Sequence, residues 1–339
     1  MSAARYSIEP LRLVLEDEQP PSQAPEPVWR ARLIERQGEC WSIVREVGTG
    51  ARFHLSDRAT YIHDDAIHWL SELPPHSIHA VVTDPPYGLI EYEEEHLKKR
   101  RAGSGGVWRI PPAFDGAKRS PLPRFTVLSG QEVSNLHGFF TAVAYGAMRA
   151  LVPGGHVIIA SNPLLSTMCF HGFLEAGFEK RGELIRQVQT LRGGYKPKGA
   201  EADFPEVSVM PRSCWEPWGI FRKPIEGTVA NNLRIWGTGG LRRLSAGDPL
   251  KDLILCSPTR SAEREIAPHP SLKPQRFMRQ IVRAALPLGI GIVYDPFVGS
   301  GSTLAAAEVL GYRAVGTDRE MEYVQMGRDA FSELVAIQV

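Results

Sequence analysis

The chain has 339 residues, 43% of them hydrophobic, enough to bury the core of one large α/β domain with insertions or of two smaller domains. Its 39 Lys and Arg residues nearly balance 38 Asp and Glu, so the whole molecule has no strong pull on a polyanion, and any nucleic-acid contact must use local basic segments. Cys40, Cys169, Cys214 and Cys256 form no Cys-x-x-Cys pair, which argues against a zinc knuckle or a disulfide framework; with neither a signal-peptide pattern nor a stretch of roughly 18 apolar residues, a cytoplasmic protein is expected.

Residues 1–59 mix Pro-rich and acidic stretches with a candidate small sheet near residues 41–47, and read as an N-terminal extension. From Thr60 the pattern sharpens: a short apolar strand, the acidic turn Asp64-Asp65, then Ala66, Ile67, Trp69, Leu70 and Leu73 at helical spacing, closed by Pro74-Pro75. Residues 77–82 read as a buried strand that runs into Thr83-Asp84-Pro85-Pro86-Tyr87-Gly88, where two prolines and a glycine must stop it. The following segment, 89–134, reads as an irregular, charged insertion. A helix is expected over 136–151, ended by Pro153-Gly154-Gly155 and followed by a strand at 156–160.

A helix over 166–176 and strands over 183–190 and 215–222 come next, then a second irregular region up to Pro268. The C-terminal part reads as a helix (275–286), a strand (290–294), the loop Asp295-Pro296-Phe297-Val298-Gly299-Ser300-Gly301-Ser302-Thr303, a helix to Leu310, a strand (312–316) and a last helix after Asp318. Alternating strands and helices predict a mostly parallel, doubly wound sheet.

Two loops carry the chemistry. The first joins an apolar strand to a helix, and its glycines let backbone amides approach a ligand without a Cβ in the way. Asp318 ends the next strand, about 20 residues on, the spacing at which a carboxylate meets the ribose hydroxyls of a bound nucleoside. An ordinary βα turn with a capping Asp, and a dinucleotide site, compete with this reading, although the full Gly-x-Gly-x-x-Gly pattern is missing.

The second is Asp84-Pro85-Pro86-Tyr87. An exocyclic amino nitrogen on adenine or cytosine is a poor nucleophile, because its lone pair is delocalised into the ring. Two acceptors around the amino group draw that pair out: the Asp84 carboxylate, and a backbone carbonyl held by the φ-locked prolines. Tyr87 supplies a face on which an extruded base stacks. The competing reading is a rigid surface turn with a buried Tyr. No Gly-x-Ser-x-Gly elbow or His-Glu-x-x-His pair is present, and no metal site is read from the scattered histidines.

With both loops in view, the sequence resembles the amino-group DNA methyltransferases of bacterial modification systems, in the β permutation that puts the catalytic loop before the cofactor loop. The match runs over roughly residues 60–334. Asp84-Pro85-Pro86-Tyr87 fits the family's catalytic tetrapeptide, and residues 295–301 fit its cofactor loop, with Ser302 standing before Thr303. His269-Pro270-Ser271-Leu272-Lys273-Pro274 matches a third element, whose Ser and Lys hold the methionine end of the cofactor. The resemblance implies a Rossmann-like methyltransferase fold over 60–339 and S-adenosyl-L-methionine as cofactor. It implies cofactor contacts at Asp295, Phe297, Gly299, Ser300, Gly301, Asp318, Ser271, Lys273 and Asp65, Asp65 by way of a motif in which Asp64 departs from the family's Gly. Asp at the first catalytic position implies adenine N6. An N4-cytosine enzyme, an RNA amino-methylase and an inactive DNA-binding protein stand as alternatives.

The resemblance also implies double-stranded DNA as partner, with a homodimer and cognate restriction or defence proteins as further partners. Lys98-Lys99-Arg100-Arg101, Arg109, Lys118, Arg119 and Arg124 suit phosphate neutralisation, unless they are a solvated loop balanced by Glu91, Glu93, Glu94 and Glu95. Target recognition in this permutation normally lies in 191–267, which holds Arg192, Tyr195, Lys196, Lys198, Asn231, Asn232, Arg234, Trp236, Arg242 and Arg243. Trp215 and Trp218 are expected in the core rather than stacked on bases.

Overall fold

The computed structural model describes residues 27–86, 130–188, 196–256, 259–269 and 271–339. The expectations for residues 1–26, for Tyr87, for the basic segment 98–124, for Arg192-Gly193-Gly194-Tyr195 and for Pro270 lie outside the described residues.

The strands described are β1 (Ala51–His54), β2 (Ala59–His63), β3 (Ile78–Thr83), β4 (Leu151–Ala160), β5 (Glu179–Gln187), β6 (Trp215–Arg222), β7 (Leu253–Leu255), β8 (Ile292–Asp295) and β9 (Arg313–Asp318). They form one sheet in the order β1-β2-β9-β8-β3-β4-β6-β5-β7. The five central strands, β2 to β4 in that order, are parallel, with antiparallel pairs β1/β2, β4/β6 and β5/β6 toward the edges. Every residue of β3 and β8 is buried, as continuous apolar strands covered on both faces must be.

Side chains alternate between two cores. On one face Ala80, Val82, Ile158, Ala160 and Val293 meet α7 (Gln275–Ala285), α8 (Ser302–Val309) and α9 (Met321–Ala336). On the other, Val81, Val157, Ile159, Ile292 and Tyr294 meet α1 (Val28–Val44), α2 (Ala66–Glu72), α3 (Gly130–Ala150) and α4 (Ser166–Glu175). Two shorter helices, α5 (Val229–Trp236) and α6 (Ser261–Ile266), lie in the C-terminal half. The doubly wound, mostly parallel sheet expected from the alternation is present.

Two local expectations are corrected. Residues 41–47 form no sheet; through Val44 they belong to α1. Leu33, Gln37, Trp41 and Val44 recur at helical spacing: Leu33, Trp41 and Val44 are buried, and Gln37 Nε2 donates to the Gly291 carbonyl at 2.6 Å. The Arg36 guanidinium lies 3.7 Å from the Trp236 ring centre, tying α1 to α5. These contacts hold residues 41–44 in a helix where a small sheet was expected. Pro153-Gly154-Gly155 does not separate helix from strand either, because β4 starts at Leu151 and runs through it. Pairing with β3 jumps from Ile78↔Leu151 to Ala80↔His156, so the extra β4 residues bulge out. There the Pro153 carbonyl accepts from Asn232 Nδ2 (3.0 Å) and Thr238 Oγ1 (2.6 Å).

Candidate active site

β8 hands the chain through α8 to β9 on one side, while β3 is followed by α3 and β4 on the other. The helices lie on opposite faces of the sheet, so a crevice opens where β3 and β8 end side by side, the ligand position of doubly wound folds. Asp84-Pro85-Pro86 continues β3, and Asp295 to Gly301 continues β8 into α8. The two loops touch directly. Thr83 Oγ1 donates to Asp295 Oδ1 at 2.6 Å, and Thr303 Oγ1 donates to the other carboxylate oxygen. Phe297 N donates to Asp295 Oδ1 at 3.0 Å. Asp295 is buried, and burial lifts its carboxyl to about 7 despite these three donors. Its hydrogen bonds therefore go to the protein, and it shapes the loop.

Gly299 and Gly301 sit at φ +52° and +87°, left-handed conformations that suit glycine. A Cβ on Gly299 would come within 3.2 Å of His269 Nε2. Burial, and then Lys273, lower His269 to about 4, so a neutral imidazole packs on the loop. The Gly299 carbonyl accepts from the buried Tyr61 hydroxyl. Ser300 is buried in the loop, and Phe297 holds its ring 5.7 Å from Phe139 of α3.

At the end of β9, Asp318 accepts from Gly299 N (3.0 Å, Oδ2) and Glu320 N (2.9 Å, Oδ1). Each oxygen keeps a second lone pair, the acceptor set that a ribose diol needs. Burial raises this carboxyl too. Ser302 Oγ, buried where the loop enters α8, has no hydrogen-bond partner in the structure described, a cost that a polar ligand atom would offset. The residues present thus fit the adenosine end of a nucleoside cofactor. Asp65 lies at the same end of the sheet, where Asp64 N bonds the Asp318 carbonyl; its Oδ1 caps α2 through Ile67 N and His68 N.

Beside Asp84 runs a line of charges, Lys273 and Arg186 buried and Asp84 and Glu216 half-buried. Lys273 Nζ bonds Asp84 Oδ2 and lies 3.7 Å from Glu216 Oε2, which is 3.3 Å from Arg186 Nη1. Trp218 Nε1 donates to Glu216 Oε1 at 2.7 Å. Burial pushes the Glu216 carboxyl up, but Lys273 and Arg186 outweigh it and hold it below its ordinary value. Lys273, expected on the cofactor, thus reaches the catalytic loop. Ser271 stands beside it, its amide donating to His269 Nδ1 at 3.2 Å. Sequence reasoning missed Thr83, Thr303, Glu216 and Arg186 as parts of the site. The one available signal was a glutamate inside an otherwise apolar strand, Trp215-Glu216-Pro217-Trp218. Trp218 is fully buried, as expected of a core residue.

In the expected recognition region, Asn232, Trp236 and Arg242 serve the fold. Asn232 and Trp236 are buried, and Arg242 Nη1 donates to the Tyr312 hydroxyl at 2.6 Å. Lys196, Lys198, Asn231, Arg234 and Arg243 are exposed.

Residues 211–329 match the N6/N4 methyltransferase family described as DNA methylase. The chain is 36% identical over 279 residues to the Type II methyltransferase M2.DpnII of Streptococcus pneumoniae, covering 81% of this chain and 90% of that one. The chain belongs to the amino-group DNA methylase family. S-adenosylmethionine is its cofactor, DNA its substrate, and the acceptor is the N6 amino group of adenine or the N4 amino group of cytosine. It is also 23% identical over 281 residues to the Type II methyltransferase M.HindIII of Haemophilus influenzae, covering 76% of this chain and 90% of that one. Among solved structures, the cytosine-N4-specific PvuII DNA methyltransferase superposes with a TM-score of 0.54 at 14% identity, covering 84% of this chain and 90% of that one, a likeness of fold. No helix among the described residues is long and apolar enough to cross a membrane.

Proposed function

We propose that this DNA methylase acts on the N6 amino group of adenine at a short, specific site, and that Asp84 is the residue that decides it. The observation that carries the reading is a carboxylate, rather than a hydroxyl, at the end of β3, beside the cofactor loop. Asp84 accepts one N–H of the flipped base, and a carbonyl of Pro85-Pro86 accepts the other. The nitrogen lone pair is thereby turned away from the ring. Tyr87 stacks on the base. Bound S-adenosylmethionine supplies an electrophilic methyl group, held by the glycine loop, with Asp318 on the ribose and Ser271 near the methionine end.

Target reading is assigned to residues 191–267, where Lys196, Lys198, Asn231, Arg234 and Arg243 are exposed. M2.DpnII and M.HindIII are both named Type II methyltransferases, which supports a place beside a restriction enzyme. The test is modified-base sequencing of DNA from cells expressing the wild type or Asp84→Ala. N6-methyladenine at one short motif, lost in the variant, is expected. N4-methylcytosine would overturn the choice of base, and unmodified DNA with methylated RNA would overturn the substrate.

A further inference from the structure

On the face of the sheet covered by α3 and α4, three side chains able to ligate a metal converge. His137 comes from α3, and His171 and Glu175 come from successive turns of α4. His137 Nε2 lies 3.1 Å from His171 Nδ1 and 3.2 Å from Glu175 Oε2, and His171 Nδ1 lies 3.6 Å from Glu175 Oε1.

We propose that these residues bind a first-row divalent transition ion, Zn2+ in the first instance, which staples α3 to α4. Ligands about 2.0–2.1 Å from a tetrahedral Zn2+ are about 3.3 Å from one another; His137 Nε2 is already at that separation from His171 Nδ1 and from Glu175 Oε2, and one ligand atom from each residue lies within 4.8 Å of the others. Protons account for the cluster less well. His137 Nε2 faces two partners at once, and a neutral imidazole nitrogen carries either one proton or one lone pair. The donor set is selective: paired imidazoles with a carboxylate suit zinc and its neighbours, whereas Mg2+ and Ca2+ take oxygen ligands. Thr141 Oγ1, one turn after His137, lies between the helices: it donates to the His137 carbonyl at 2.9 Å and sits 3.3 Å from Glu175 Oε2. The exposure of His171 and Glu175 leaves the remaining coordination positions to water.

The site has a route to the cofactor loop. Phe139, two residues after His137 on α3, packs 5.7 Å from the Phe297 ring. An ion that fixes this part of α3 against α4 also fixes that contact.

The test uses the full chain, stripped with chelator, desalted and titrated with ZnCl2 by calorimetry, with bound metal counted by mass spectrometry. One Zn2+ per chain with a Kd of about 10 μM or tighter is expected, weakened at least about tenfold in His171→Ala and in Glu175→Gln. Cys214→Ser, which removes an exposed thiol, should bind as the wild type does. Zn2+ should raise the Tm of the wild type and leave that of His171→Ala unchanged. No stoichiometric binding, or binding and a Tm rise that survive His171→Ala, would overturn the proposal. Should His171→Ala fold poorly without metal, His137→Gln provides the same comparison.

Discussion

Thr83, the residue before Asp84, donates its hydroxyl to the buried carboxylate of Asp295 across 2.6 Å, joining the loop proposed to meet the base to the loop proposed to meet the cofactor. Thr83→Val keeps the shape and deletes the donor, leaving one lone pair of a buried carboxylate less well satisfied. Stability should fall by about 1–3 kcal/mol. Catalysis should fall with it, because the base and the methyl donor no longer share one rigid frame. Thermal unfolding beside kcat checks this. A variant with lowered Tm and unchanged kcat at a permissive temperature would show that the link serves stability alone.

Asp84→Asn retains volume and one acceptor oxygen but loses the charge. A fall in kcat of roughly 10²–10³ is expected, the scale seen when one group that stabilises developing charge is removed. Affinity for S-adenosylmethionine, measured by calorimetry, should stay within a few-fold. A large loss of cofactor affinity would place Asp84 in the cofactor site instead.

Lys273→Met separates two roles for the ammonium group. Its contacts with Asp84 and Glu216 put it on the catalytic loop, so kcat should drop while KM for S-adenosylmethionine barely moves. If the lysine instead grips the cofactor carboxylate, KM rises and kcat at saturation is spared. Stability should also drop, by up to about 3 kcal/mol, since Asp84 loses the ammonium that bonds it while Glu216 keeps Arg186. The double variant Lys273→Met with Asp84→Asn should recover part of that stability loss.

Acid sensitivity follows from buried imidazoles. Burial, followed by Arg222 and Arg181, lowers His156 to about 3, and its Nδ1 has no hydrogen-bond partner in the structure described. The folded value lies below the unfolded one, so the folded state resists protonation: stability is complete above about pH 6.5 and falls as the pH drops toward 3. His79 and His269, both lowered to about 4, act in the same direction. Asp295, raised to about 7, opposes them, because its stability contribution is lost as the pH rises from about 4 to about 7. Asp318, also raised by burial, acts with Asp295, but the three histidines outweigh the two aspartates and leave Tm lower at pH 5 than at pH 7. His156→Gln should shrink the matching loss of unfolding free energy between pH 7 and pH 5 by on the order of 2 kcal/mol. An unchanged difference would remove His156 from the account.

The sheet and its two loops were legible because their signals are local. β3 and β8 are mostly apolar runs, and prolines directly after Asp84 and Asp295 mark where each one stops. α1 was misread because its packing partners, Gly291 and Trp236, are far away in sequence. The same holds for the charge line: Glu216 and Lys273 meet only once β6 and the segment before α7 are brought to the end of β3. Neither residue has a neighbour in the chain that announces the other. The His137 cluster is of the same kind, since only His171 and Glu175 share a helix.

Asp84, Lys273, Glu216 and Arg186 alternate in sign, two of each, and their side chains are only 6–13% exposed. Mobile ions act over a Debye length of about 8–10 Å among solvated charges and hardly at all on buried pairs. Ionic strength therefore separates two stages of the reaction. Phosphate contacts made by exposed lysines and arginines weaken as salt displaces them, so assembly of the DNA complex slows and loosens. On the proposed mechanism, methyl transfer within a complex already assembled should keep its rate, because the charges beside Asp84 are only weakly screened.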